Sequence, residues 1–225
     1  MHPHTFVRKE HLTSNLWTFW FDNTSNIEYQ AGQFIGLTLH HDSPDSRGEH
    51  RWFTLSSSPS ESLLGITTRI VTDKPSTFKQ TLANLQPGDS ALFSKAMGDF
   101  VLPMNQKIPL IFVVGGIGIT PVRSMLQWLA DAKQARHIEL LYAVSSRDDV
   151  VFEPLLASQA TIKFFTGKNK LTTTDVVAAA QSQPRCLVYL SGPEELIEVL
   201  VAELRSSPVA ASQLVTDYFP GYGHL

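Results

Sequence analysis

Residues 51–54, Arg-Trp-Phe-Thr, combine side chains that can hold a phosphate and a flat ring. Alternation along a strand would place Arg51 and Phe53 on one face and Thr54 on the other. An arginine can bind a phosphate through two parallel hydrogen bonds, and an aromatic ring can lie against a flat heterocycle. An exposed arginine beside a core phenylalanine is the alternative that stays open for this stretch.

Residues 109–130 join an apolar run to a helical pattern through a glycine-rich turn. Residues 110–114 suit a buried strand of a parallel sheet. We expect Thr120 to cap the following helix and Pro121 to lie in its first turn, where the missing N–H costs nothing. The glycines allow a tight turn close to a bound group, and the free N–H groups of the first helical turn favour a phosphate. The GGxGxTP spacing differs from G-x-G-x-x-G, so a turn without a ligand is also open.

The elements that must position these residues change in kind along the chain. In the first hundred residues, β-rich segments at 16–21 and 34–39 are separated by turn signals, which predicts an antiparallel barrel or sandwich. One helix is expected between Thr77 and Leu85. After Pro103, strands alternate with helices: strands near 110–114, 138–143, 161–165 and 186–190, and helices near 120–134, 150–157, 173–181 and 194–205. This alternation predicts a parallel sheet covered on both faces.

The shift in rhythm predicts two domains, residues 1–104 and 105–225. The chain of 225 residues has 43% apolar and 17% charged residues, enough for an ordinary core. The net charge of -3, without a basic cluster, argues against nucleic acid and anionic membrane surfaces as partners. We expect a cytoplasmic protein, because the N-terminal stretch lacks the apolar core of a signal peptide and no apolar run approaches the roughly 20 residues of a membrane span.

Several other kinds of site are not indicated. The single cysteine, Cys186, excludes an intrachain disulfide and a four-cysteine iron-sulfur cluster. The eight histidines include no pair four residues apart, so we expect no metal site. The absence of a G-x-S-x-G sequence argues against a serine hydrolase.

Over nearly its whole length the chain resembles the ferredoxin-NADP reductase family of flavoprotein reductases, without an iron-sulfur domain. Six short motifs occur in the family's order: GQF at 32–34, RWFT at 51–54, PGD at 87–89, GDF at 98–100, GGIGITP at 115–121 and SGP at 191–193. The resemblance implies a β + α/β fold, with an antiparallel flavin-binding β-barrel followed by a parallel-sheet nucleotide-binding domain. The shared order favours a ligand at the glycine turn.

The resemblance assigns the flavin to the first domain. It implies that Arg51 binds the phosphate of FAD, Phe53 stacks on the isoalloxazine ring and the Thr54 hydroxyl hydrogen-bonds flavin N5. The backbone from Thr68 to Ile70 would line the phosphate and adenine side. FAD is preferred over FMN on the resemblance alone.

Two further flavin contacts are less direct. Lys79 stands where the family often has a serine or threonine at the barrel helix, so a charge replaces a neutral donor at a phosphate contact. A C-terminal aromatic can cover the flavin in this family, which offers Phe219 that role as an alternative to ordinary packing.

The resemblance assigns the dinucleotide to six residues of two turns: Gly116, Gly118, Thr120, Ser191, Gly192 and Pro193. Ser191 would lie by the nicotinamide, where the family commonly has cysteine. Thr54 and Ser191 are therefore the residues expected to touch the reacting rings. Glu194 and Glu195 begin the helix after Pro193 and would repel a phosphate, which places the pyrophosphate at the earlier helix.

The choice of reductant depends on Ser146 and Arg147, at the end of the second strand of the nucleotide domain. A hydroxyl and a guanidinium can both bind a 2′-phosphate, so we favour NADPH over NADH. A solvated loop arginine is the alternative, and Asp148 and Asp149 would weaken the attraction.

We therefore expect an FAD-dependent oxidoreductase that passes hydride from NADPH or NADH to flavin, and electrons on to a separate acceptor. The competing class is a non-catalytic flavin-binding interaction subunit of a larger redox complex. The acceptor, the pathway and the oligomeric state are not specified by these residues.

Overall fold

The computed structural model describes residues 1–71 and 73–219. The chain forms two compact units, Met1–Val101 and Leu102–Leu225. The assignment of flavin to residues 1–104 and of the nucleotide to residues 105–225 stays a prediction. Within the described part of the chain, no helix is long and apolar enough to cross a membrane.

The first unit is a six-stranded antiparallel sheet with one helix. Its strands are β1 (His2–His11), β2 (Leu16–Phe21), β3 (Phe34–Thr38), β4 (His50–Thr54), β5 (Leu64–Arg69) and β6 (Ser90–Phe93), in the spatial order β4-β3-β6-β1-β2-β5. Leu55, one residue past β4, forms an antiparallel bridge with Ile66 of β5, so the two edge strands meet. The predicted antiparallel barrel is confirmed.

Helix α1 (Thr77–Asn84) lies between β5 and β6 in the chain and contributes Phe78 and Leu82 to the barrel core. Ser76 caps the helix, because its Oγ accepts a hydrogen bond from the backbone N of Lys79 at 3.2 Å. This cap fixes the backbone of Lys79 in the first helical turn. Its side chain therefore starts from a defined position beside β4 and β5.

The second unit is a five-stranded parallel sheet flanked by helices. The strands are β7 (Leu110–Gly115), β8 (Ile138–Val144), β9 (Thr161–Thr166), β10 (Leu187–Pro193) and β11 (Leu214–Phe219), in the order β11-β10-β7-β8-β9. The helices are α2 (Ile119–Asp131), α3 (Glu153–Gln159), α4 (Thr173–Ser182) and α5 (Glu194–Leu204). The predicted alternation of strands and helices is confirmed.

The strand order reverses beside β7, which has β8 on one side and β10 on the other. In open α/β sheets the carboxyl ends of the strands at such a reversal border a crevice that binds ligands. Here the borders are the glycine turn after β7 and residues 191–193 at the end of β10. Both turns predicted to hold the dinucleotide therefore lie at the reversal.

The prediction that Thr120 caps α2 was wrong. The turn Gly116–Gly118 is a short 3-10 helix, and Gly118 already has right-handed helical dihedral angles, so α2 starts at Ile119. Thr120 lies inside the helix, where its Oγ1 donates to the carbonyl of Ile117 at 3.1 Å. The glycines wind the chain tightly enough to begin the helix before any side-chain cap is needed.

Candidate functional site

The Arg51 guanidinium on β4 is held by the backbone on one side only. Its Nη1 donates to three nearby carbonyl oxygens, those of Arg47 (2.6 Å), Gly48 (3.2 Å) and His50 (2.6 Å). Its Nη2 is buried and has no hydrogen-bond partner among the described residues. A buried donor without a partner costs about 1–3 kcal/mol, so this nitrogen is suited to an incoming acceptor.

Two further cations lie beside Arg51. Lys79 donates to the Thr68 hydroxyl, and its Nζ lies 5.1 Å from the centre of the Phe53 ring. The Nε of Arg69, at the end of β5, is buried without a partner in the described part of the chain. Burial first, and then the positive charges of Arg51 and Arg69, lower the pKa of Lys79 to about 7. Three converging positive groups complement a phosphate, which accepts charge-assisted hydrogen bonds at several oxygens.

Asp45 lies near Arg51, and its carboxylate would compete with a bound phosphate for hydrogen-bond donors. Its carboxylate binds Arg47 at 2.8 Å and accepts a hydrogen bond from the backbone N of Thr77, the first residue of α1, at 3.0 Å. The bond from the Arg47 side chain, followed by that from the Thr77 backbone, lowers the pKa of Asp45 to about 2. A carboxylate therefore already occupies one helix N–H group that a phosphate could use.

Phe53 and Thr54 are both buried, with 8% and 6% of their surface exposed. The Phe53 ring stacks on Phe78 with centroids 5.9 Å apart, and Arg51 lies 5.1 Å from the Phe78 ring. Arg51 and Phe53 thus share a face of β4, as predicted. The Phe53 ring contacts Phe78 and Lys79 here, and its stacking on a flavin stays a prediction.

Two of the remaining predicted flavin residues lie at strand β5 of the barrel. Thr68 is fully buried on β5, and Ile70 packs against the barrel core. Phe219 ends β11, but its side chain lies outside the described residues, so its predicted role stays a prediction. Sequence reasoning assigned only the backbone of residues 68–70 to the flavin, and it therefore missed the side chain of Arg69.

In the second unit the two glycine turns fit into each other. A Cβ on Gly118 would lie 2.3 Å from the carbonyl oxygen of Ser191, and a Cβ on Gly192 would lie 3.1 Å from the backbone N of Gly115. Gly116 has a φ of 50°, which favours glycine. Packing between the turns therefore requires glycine at position 118, in addition to any approach of a ligand.

Ser191 lies between these turns at the end of β10. Its side chain is buried, and its Oγ has no hydrogen-bond partner among the described residues. The first turn of α2 carries no acidic residue, whereas that of α5 carries Glu194 and Glu195. The electrostatics of the helix ends therefore favour α2 for a phosphate. Thr120, Gly192 and Pro193 lie at the same crevice.

Ser146 and Arg147 both have partners within the chain. Ser146 caps a short turn, in which its Oγ accepts from the backbone N of Asp148 at 3.1 Å. Arg147 binds the Glu153 carboxylate and lies 4.2 Å from the centre of the Phe164 ring. Because both groups already have partners, they do not form an open phosphate-binding pair in this structure.

A cavity of about 240 Å³ opens at the carboxyl ends of β8 and β9. Its polar lining residues are Ser145, Thr166, Asn169, Lys170 and the acidic Glu195. Sequence reasoning missed Asn169 and Lys170, because they lie in a loop after β9 that matches no motif. Lys170 adds a positive group near the predicted 2′-phosphate position.

No group of three or more histidine, cysteine, aspartate or glutamate side chains within residues 1–71 and 73–219 could hold a metal ion. Cys186 is buried, and its burial raises the pKa of the thiol.

Comparison with known proteins finds oxidoreductases that are similar to part of this chain. A family model described as an oxidoreductase NAD-binding domain matches residues 112–163. An NADPH oxidoreductase of Mycobacterium tuberculosis is 35% identical over 147 residues, which cover 64% of this chain and 36% of that protein. An NADH oxidoreductase, HCR, of Escherichia coli is 27% identical over 141 residues, which cover 62% of this chain and 42% of that protein. The matched region thus spans less than half the length of these relatives.

Solved structures match both units. A ferredoxin-NADP+ reductase from Plasmodium falciparum with 2'P-AMP superposes with a TM-score of 0.80 at 17% identity, covering 96% of this chain and 95% of that one. The FAD/NAD-binding domain of a nitric oxide dioxygenase from Vibrio cholerae gives 0.76 at 21% identity, covering 96% and 98%. These likenesses show a shared fold, a barrel followed by a parallel nucleotide-binding sheet.

Proposed function

We propose that this chain, a member of the ferredoxin-NADP reductase family of flavoprotein reductases, is an FAD-dependent oxidoreductase that takes hydride from NADPH or NADH. The electrons then pass to a separate acceptor. The observation that carries the proposal is the cluster of Arg51, Arg69 and Lys79: each of the two arginines has a buried nitrogen without a partner among the described residues, and the three groups together fit the phosphate of a flavin nucleotide. A cytoplasmic location belongs to the same proposal.

The barrel residues would bind and orient the flavin. Arg51 would use its buried Nη2 for a phosphate oxygen, and the Thr54 hydroxyl would hold the ring edge by a hydrogen bond. FAD, when bound, would accept two electrons as a hydride and release them one at a time. The protein supplies position, which accounts for much of the rate when two reactants are held in line.

The second unit would bind the nicotinamide dinucleotide at the reversal of strand order. The start of α2 would hold the pyrophosphate, since its first turn carries no acid. The buried Ser191 hydroxyl would face the nicotinamide. The fit of Gly118 against the Ser191 backbone keeps these two turns together.

NADPH is the proposed reductant, with NADH as the alternative. Lys170 lines the strand-end cavity, and Arg147 lies two residues after Ser145, which lines the same cavity. Both would supply positive charge for a 2′-phosphate. The pairing of Arg147 with Glu153 reduces that attraction, so the expected preference is small. Relatives that match this chain include both an NADPH and an NADH oxidoreductase.

The test is a visible spectrum of the purified protein, followed by anaerobic addition of NADPH or NADH. We expect a yellow protein, or one that becomes yellow on addition of FAD, and loss of the yellow flavin absorbance on addition of the reductant. A protein that takes up neither FAD nor FMN would contradict the proposal. A flavoprotein that neither reductant bleaches would indicate the non-catalytic interaction subunit.

A further inference from the structure

We propose that Lys79 binds the flavin phosphate as an ammonium and takes up its proton when the flavin binds, so that flavin affinity falls as the pH rises above neutrality. The proposal rests on the proposed flavin site and adds a residue that controls its affinity.

The position of Lys79 is built by its neighbours in the barrel. The Ser76 cap fixes its backbone in the first turn of α1. Its Nζ donates to the Thr68 hydroxyl on β5 and lies 5.1 Å from the centre of the Phe53 ring on β4. Both contacts are to uncharged groups, and a neutral amine can make the hydrogen bond as well as an ammonium can.

The charged groups that face Lys79 are mainly positive. Arg51 faces it from β4 and Arg69 from β5, and both disfavour a third positive charge. Asp45 acts on Arg51, but its carboxylate is bound by Arg47 and by the first backbone N–H of α1. The first turn of α1 carries no acidic residue.

Burial and these two guanidinium groups lower the pKa of Lys79 to about 7, so a large share of the side chain is the free amine at neutral pH. An arriving phosphate would reverse the sign of the local potential and restore the ammonium. In that step one N–H bond forms, the proton comes from solvent, and no electrons are transferred. Because binding then requires a proton, affinity falls by up to about tenfold for each pH unit above the pKa of the unliganded protein.

The experiment is a titration of the apoprotein with FAD between about pH 6 and pH 9, with calorimetry in buffers of different ionisation enthalpy. FAD suits this test because its pyrophosphate keeps its charge over this range. We expect the Kd to rise above pH 7 towards tenfold per unit, with uptake of nearly one proton per FAD at pH 8. Arginine at position 79 carries a permanent charge, so Lys79→Arg should bind FAD with a flat pH profile.

A second variant and a second ligand make the outcomes decisive. Lys79→Met should bind FAD more weakly than wild type at pH 6 and should also lose the pH dependence. The proposal is wrong if wild type binds FAD with a flat profile, or if Lys79→Met keeps the wild-type slope.

Inorganic pyrophosphate separates this proposal from the proposed function. Wild type that binds pyrophosphate with more proton uptake than Lys79→Arg, a comparison in which the ionisation of pyrophosphate itself cancels, but that never binds FAD, would support the role of Lys79 and contradict the flavoprotein assignment. Wild type that binds neither ligand would contradict both.

Discussion

The two candidate sites are held in place by different forces. In the barrel, the positive charges of Arg51 and Arg69 disfavour a third charge on Lys79, and each arginine carries a buried nitrogen without a partner in the described residues. In the parallel unit, Gly118 fits against the backbone of Ser191 with no room for a side chain, and Gly192 lies in tight contact with the backbone of Gly115. The barrel site is therefore locally unfavourable without an anion and suited to binding one. The glycine turns, by contrast, are required for the fold around them.

This difference predicts that substitutions in the two sites separate binding from stability. Loss of a barrel cation should change ligand affinity and leave the fold intact. A side chain at the glycine turns should damage the second unit whether or not a ligand is present. The following substitutions test the contrast in order of expected effect.

The largest effect is expected for Gly118→Val. Any Cβ at this position lies 2.3 Å from the Ser191 carbonyl oxygen, so the two turns must separate. We expect a loss of about 3–5 kcal/mol in the free energy of unfolding of the second unit, measured by urea denaturation. Reduction by NADPH or NADH should also be lost.

Gly167→Ala is the matched control in the same unit. A Cβ there meets nothing within 4 Å, although the φ of 58° is left-handed. The expected cost is about 1 kcal/mol. Equal stability of the two variants would show that the turns do not pack as the structure has them.

Arg51→Ala should weaken FAD binding by at least about tenfold, because a charge-assisted hydrogen bond contributes about 1.5–3 kcal/mol. The free energy of unfolding should change little, since the contacts of the Arg51 guanidinium within the described residues are with backbone carbonyl groups and one aromatic ring. Fluorescence titration with FAD measures the affinity.

Arg8→Ala serves as control for Arg51, because Arg8 is an exposed arginine on β1 that pairs with Glu10. Its removal should leave FAD affinity unchanged. A similar loss of affinity in both variants would remove the special role of Arg51.

Arg147→Ala should lower kcat/KM with NADPH by less than about fivefold, with NADH activity kept. The reason for a small effect is that Arg147 already binds Glu153 and stacks over Phe164. Lys170→Ala is the informative comparison, because Lys170 lines the strand-end cavity. A wild type that prefers NADH tenfold or more would exclude the NADPH assignment.

Asp45→Asn should give the smallest change, a tightening of FAD binding by a few-fold. The substitution removes a negative charge from the start of α1 and from the surroundings of Arg51. Asp42→Asn, in the same loop, is the control and should bind FAD as wild type does. Weaker binding by Asp45→Asn alone would mean that this carboxylate orders the site instead of competing with the phosphate.

Much of the fold could be predicted because local patterns report burial. β2 matches the predicted segment 16–21, and β7 matches the apolar run that begins at Leu110. Strand β1 was not predicted, because most of its side chains are exposed and its apolar pattern is weak. The start of α2 was misplaced, because the glycine turn takes helical angles that a capping pattern does not reveal.

The sequence by itself determined the succession of a β-rich part and an alternating β/α part, and it identified Arg51 and the glycine turns as candidates. These features depend on residues that are close together in the chain. Only the tertiary structure brought Arg69 and Lys79 to Arg51, and only it showed Arg147 paired with Glu153. It also decided that Gly118 is required by the backbone of Ser191. Such contacts depend on strand order and on helix placement, because they join residues whose separation along the chain carries no local signal.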